Sequence, residues 1–113
     1  MMTLDALRAY GANTGEGMAR CMNNEAFYLR MVAMALADKN FDALTAAINA
    51  GNTAAAFEAA HALKGSTGNV SLTPIYKPVC ELTELLRNKN MPADGGKALL
   101  SQIVSEREKA LSL

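Results

Sequence analysis

Tryptophan is absent from this sequence, and phenylalanine and tyrosine occur only three times each. So poor a supply of aromatic residues speaks against a sheet-based fold, which draws on them. Two cysteines, Cys21 and Cys80, are too few for a disulfide framework and lack the spacing of a metal site. Each reads as a small packed or half-exposed thiol in a reducing, cytoplasmic compartment. Charge of one sign is not in excess: 11 basic residues balance 11 acidic ones. That balance argues against a nucleic-acid binder or a membrane-surface binder, both of which need a basic bias. The start of the chain has no basic segment followed by an apolar signal core. The longest apolar run, residues 26–37, is broken only by Arg30 and falls short of the roughly 20 residues that cross a bilayer. No internal repeat, low-complexity tract or linker divides the chain, and its length suits a single domain over residues 1–113.

What remains is alanine, leucine and methionine in a chain that is 50% hydrophobic. Those residues favour helices, and the expected fold is all-α: an antiparallel four-helix bundle preceded by two short helices. Thr3 is the expected N-cap of the first short helix, with Asp5 in its first turn. Thr14 is the expected cap of the second, running to Met22, with Met18, Cys21 and Met22 as a soft edge packed on the bundle. Asn23 or Asn24 caps the 26–37 segment, which reads as buried on most sides. Asp38, Lys39 and Asn40 interrupt it before Phe41, Leu44 and Ile48 resume helical spacing, as one bent helix or two abutting ones.

Gly51 ends that unit, and Asn52 caps a helix expected from Thr53 to near Asn69. Thr73 followed by Pro74 is an expected N-cap and N1 pair, and Pro78 predicts a kink or an irregular first turn. Val79, Leu82 and Leu86 continue that helix's apolar stripe. Residues 88–92 read as a loop. Asp94 is the expected cap of a last helix with apolar Leu99, Leu100, Ile103, Val104 and Leu111, and with Glu106, Arg107, Glu108 and Lys109 mostly solvated.

The only histidine, His61, lies in the helix that Asn52 caps. His61, Lys64, Gly65 and Gly68 fall at i, i+3, i+4 and i+7 and share one face. Phe57, Ala60, Leu63, Thr67 and Val70 form the stripe expected to face the core. A glycine inside a helix costs roughly 1 kcal/mol relative to alanine. Two of them on the histidine's face make sense if another molecule must come close to the ring. Lys64, one turn on, can lay its ammonium beside an anion carried on the imidazole. An imidazole, with an unperturbed pKa of about 6.5, is largely neutral and nucleophilic near neutral pH. Nucleophile, cation and cleared surface together point to a phosphoryl acceptor served by a docking protein. Glu58 reads as solvated surface.

The run His61-Ala62-Leu63-Lys64-Gly65-Ser66-Thr67 resembles the signature of histidine-containing phosphotransfer (HPt) domains: His, any residue, an apolar residue, Lys, Gly, then small residues. The resemblance covers roughly residues 25–87. It implies a helical bundle whose histidine relays phosphoryl groups between receiver-domain aspartates. By position it implies that His61 is phosphorylated, that Lys64 offsets the phosphate charge, and that Gly65, with Gly68, forms the receiver-docking face. It implies response-regulator receiver domains and a sensor or hybrid histidine kinase as partners, and Mg²⁺ on the receiver, with no cofactor or metal held by this chain. Two positions depart from the family's pattern: Ser71 stands where glycine is frequent, and Pro78 stands where a proline is unusual.

The expected role is therefore a cytoplasmic, monomeric carrier without kinase machinery of its own, since no Gly-rich nucleotide loop or acidic Mg²⁺ motif is present. The short length and the initial Met1 and Met2 favour a free-standing protein over a piece of a larger kinase. The alternative is a non-catalytic helical module that binds a protein through the same face. A metal site of His61, Cys21 and Cys80 would need three distant residues to converge. A hydrolase lacks a placed second catalytic residue.

Overall fold

The computed structural model describes residues 2–88, 91 and 93–113. Among these the protein is all-α, with seven helices: α1 (Leu4–Tyr10), α2 (Thr14–Arg20), α3 (Glu25–Leu36), α4 (Asn40–Asn49), α5 (Thr53–Asn69), α6 (Thr73–Arg87) and α7 (Lys97–Leu111). No helix of the described residues is long and apolar enough to cross a membrane.

Local chemistry sets the helix starts. The side chains of Thr3, Asn24 and Asn52 each accept a hydrogen bond from a first-turn N–H, at 3.0 Å in all three. Asn13, not Thr14, plays this part for α2, accepting from the N–H of Glu16; Thr14 is the first helical residue and is buried. The helix ends at Arg20, because Met22 and Asn23 take left-handed φ angles of 55° and 57°. That turn leaves Met22 86% exposed, while Met18 and Cys21 pack as expected. Gly51, at φ 68°, closes α4 in a conformation that a side chain would strain.

α3 and α4 are separate helices. Asp38 breaks the run by accepting from both the backbone and side-chain nitrogens of Asn40, at 2.8 and 2.9 Å. The two follow one another along one side of the bundle, each against α5 and α7. α5 also packs on α6, and α6 on α7, so four helical units close a ring. The short turns 50–52 and 70–72 make α4, α5 and α6 antiparallel neighbours. The core is mainly aliphatic: Leu36, Leu44 and Ile48, with Phe41, meet Ala60, Leu63, Ile75, Val79, Leu82 and Ile103. Thr67 and Thr83 are buried with them, and each hydroxyl donates to the carbonyl four residues back, at 2.7 Å.

Further expectations are corrected. α3 buries only Tyr28, Val32, Ala35 and Leu36; Met34 is 60% exposed and Phe27 also meets solvent. A nearly uniform apolar run carries no contrast to show which side faces out. α6 is capped by Leu72 without a side-chain bond, and it runs through Pro78 to Arg87 as one helix. Leu72 is wholly buried, and its carbonyl takes the first N–H groups, from Ile75 and Tyr76. Pro78 sits so near the helix start that only the bond to the Pro74 carbonyl is forfeited. In α7, Ala110 is buried and Leu111 exposed. Glu106 and Arg107 are half-buried rather than solvated. Arg107 lies 4.5 Å over the Phe41 ring and donates to the Leu36 carbonyl at 2.8 Å, closing the last turn of α3.

Gly96, at φ 84°, holds the cap position of α7 in place of Asp94, whose carboxylate serves the helix start from two residues before, accepting from Gly96 and Ala98 at 2.9 and 2.8 Å. Those bonds hold its carboxyl below the usual range. The loop expected over 88–92 includes Lys89, Asn90 and Pro92, which lie outside the described residues.

Candidate functional site

α5 is the longest helix among the described residues, and its cap and a stripe of core-facing residues, about one per turn, fix it against both neighbours. Ala56, Ala59, Ala60, Leu63 and Thr67 are buried. His61 therefore stands on the opposite side, mid-helix and exposed. It opens onto a groove of about 660 Å³ that Lys64, Gly65 and Gly68 also line. The four residues picked out by helical spacing are thus brought together. α2 and its cap close one wall with Asn13, Glu16 and Arg20, and the start of α6 closes the other with Thr73, Tyr76 and Lys77.

The two glycines do different work. A Cβ at Gly65 would meet nothing within 4 Å among the described residues, so their packing does not demand a glycine there. A Cβ at Gly68 would lie 2.8 Å from the Tyr76 ring. Gly68 lies in the groove, but its lack of a side chain is already explained by the seating of Tyr76 against α5. The Tyr76 phenol is pushed up, chiefly by the neighbouring Cys80 thiol.

Lys64 is half-buried, and its Nζ lies 3.6 Å from Glu84 Oε1 on α6. The imidazole has a neighbour that the core-facing assignment of Phe57 did not anticipate. The rings of Phe57 and His61 stack with centroids 5.6 Å apart and planes 16° from parallel. Phe57 is only partly buried. Residues four apart lie on one helix face, so the spacing that placed Gly65 beside His61 also places Phe57 there. Arg87 of α6 sits over the Phe57 ring, 5.3 Å from its centroid.

Arg20 went unnoticed in the sequence, because its partners are about fifty positions away. Its guanidinium donates to the Gly68 carbonyl at 3.0 Å and to Ser71 Oγ at 2.8 Å, and it pairs with Glu16. Ser71 Oγ donates to the same Glu16 carboxylate at 3.1 Å. The hydrogen bond from Arg20, then that from Ser71, hold the Glu16 carboxyl below its usual range. Ser71 has a φ of 55°. A glycine would take that angle freely, and here serine's hydroxyl is what ties α2 to the end of α5.

Cys21 is buried and Cys80 half-buried, and both are free. Among the described residues no group of three His, Cys, Asp or Glu side chains is arranged to hold a metal ion. The site offers one exposed imidazole, a cation one turn along it, and an unobstructed approach over Gly65.

The sequence model of the Hpt domain matches residues 29–110, most of the chain. No curated protein and no solved structure gives a significant match.

Proposed function

The chain belongs to the Hpt domain family, and from that premise we propose that it is a phosphoryl carrier whose acceptor is His61. The family works in phosphotransfer within two-component signalling, as carrier modules that act with receiver domains and kinases and generally lack kinase activity themselves. The observation that carries the assignment to this residue is Gly65. It stands one turn from an exposed histidine, and no described residue requires it to lack a side chain. The requirement is then an incoming molecule's.

In this reading a receiver domain docks over Gly65 and presents an aspartyl phosphate to His61. The lone pair of Nε2 forms a P–N bond as the P–O bond to the aspartate breaks. The electron pair leaves on the aspartate carboxylate. The Nδ1 proton stays on the ring, which is then cationic, and can pass to water. Alignment and charge neutralisation carry such a transfer, with little covalent help from the protein. Lys64 swings from Glu84 toward the arriving phosphoryl group. Mg²⁺ and the remaining catalytic groups belong to the receiver. A second receiver aspartate takes the group by the reverse displacement. The histidine face must stay free for both encounters, which fits a monomer, and the two free cysteines fit a cytoplasmic setting.

The test is transfer from receiver domains charged with radiolabelled acetyl phosphate. Acid-labile, base-stable label should appear on the chain and vanish in His61→Gln. Label retained by that variant would remove His61 from the role. A folded protein that takes no label from any receiver would favour a non-catalytic module binding through the same groove.

A further inference from the structure

We propose that Phe57 is a positioning residue for His61: its ring fixes the plane of the imidazole, and so the direction in which the attacking nitrogen points. The inference rests on His61 being the phosphoryl acceptor. It starts from a difficulty in that assignment. An exposed histidine on a helix has a broad χ2 torsion, so its ring plane is free to rotate. The nitrogen lone pair lies in that plane. Rotation about χ2 therefore sweeps the attacking direction away from the line through phosphorus and the leaving oxygen. In-line transfer tolerates little of this: a misplacement of about 1 Å can cost on the order of a hundredfold in rate.

The structure supplies a brace at this point. Helical side chains lean toward the helix start, so His61 leans back over the residue four positions before it. That residue is Phe57, and the rings stack at 5.6 Å and 16°. The distance lies within the range for attractive ring pairs. One imidazole face is thereby covered, while His61 as a residue stays exposed.

Phe57 is itself held. Arg87 lies over its ring at 5.3 Å, and Glu84 pairs with Arg87 at 3.4 Å. Glu84 is the same carboxylate that meets Lys64. Two side chains of α6 thus hold both the stack beside His61 and the cation one turn beyond it. A hydrophobic residue needed only for burial would not have to be aromatic, half-exposed and parallel to the imidazole.

The experiment compares wild type, Phe57→Leu and Phe57→Tyr in transfer from receiver domains charged with acetyl phosphate, over a range of receiver concentration. Leucine keeps apolar bulk but has no ring plane, and tyrosine keeps the plane. Phe57→Leu should lower the rate constant at saturating receiver roughly tenfold and leave the half-saturating concentration unchanged. Phe57→Tyr should restore the wild-type rate. By NMR, the His61 ring protons of wild type and Phe57→Tyr should carry an aromatic ring-current shift, lost in Phe57→Leu. Wild-type transfer by Phe57→Leu would overturn the proposal. So would a raised half-saturating concentration with an unchanged rate constant, which would make Phe57 a docking contact. Equal loss in the tyrosine variant would also overturn it. A wild-type chain that takes no label overturns the carrier assignment and this role together. A labelled wild type with an indifferent leucine variant overturns only the role of Phe57.

Discussion

Lys64 and Glu84 face each other across α5 and α6, with Nζ 3.6 Å from Oε1. The lysine is thus already engaged before any phosphoryl group arrives, and Glu84 competes for its charge. The side chains are 32% and 53% exposed, so the pair is a surface ion pair worth at most about 1 kcal/mol. Glu84→Gln should leave the melting temperature nearly unchanged. It should also shift the equilibrium of label from receiver to His61 by about two- to fivefold, the equivalent of roughly 0.5–1 kcal/mol. Measuring the partition of label at equilibrium checks this; an unmoved partition would show that Glu84 does not restrain the lysine.

The two glycines of the groove should part company under substitution. Gly65→Ala places a methyl in open space and improves helix propensity, so it should stabilise the fold by about 0.4–1 kcal/mol. Gly65→Gln should leave the fold intact and slow transfer. Gly68→Ala pushes a methyl into the Tyr76 ring and should cost about 1–3 kcal/mol. Urea unfolding read beside transfer rates separates the outcomes. If Gly65→Gln transferred at the wild-type rate, the open approach would lose its purpose.

Glu16 gives the fold an acid sensitivity with a definite sign. Arg20 and Ser71 bond its carboxylate and lower its pKa from the ordinary 4.5. A depressed folded pKa means that the stabilisation is complete above the ordinary value and is lost as pH falls through the folded one. Wild type should therefore lose melting temperature more steeply than Glu16→Gln as pH drops below about 4.5. Parallel slopes for the two proteins would show that the network contributes nothing at the end of α5.

Tyr28 makes a longer connection. Its ring is buried and its hydroxyl donates to the Val70 carbonyl at 2.9 Å, across 42 positions. Tyr28→Phe should cost about 1 kcal/mol in urea unfolding, the usual worth of such a bond. A silent substitution would mean that the carbonyl finds an equal partner.

Much of this architecture could be read from single residues. Asn52 announced the histidine helix, and the spacing of His61, Lys64 and Gly65 announced its outer face. Both signals are local, set within one or two helical turns. Phe57 was legible by the same rule and was misplaced by its hydrophobicity: an aromatic residue was assigned to the core although its spacing put it beside the histidine. Arg20, Ser71, Tyr76, Glu84 and Arg87 were not legible, because each matters through a neighbour on another helix. The outward side of α3 was hidden for a different reason: a run of alanine, methionine and leucine has no polar edge to mark solvent.

Where the family match begins has a practical consequence. It starts at residue 29, just past Tyr28. Yet the absent side chain of Gly17 makes room for the Tyr28 ring, the Asn13 N–H donates to the Ser71 carbonyl at 3.0 Å, and Arg20 holds the carbonyl of Gly68. A chain trimmed to the homologous boundary would sever all three ties and let the last turn of the histidine helix fray. For this protein the edge of sequence kinship cuts through a cooperative folding unit, and expression designs should begin ahead of α1.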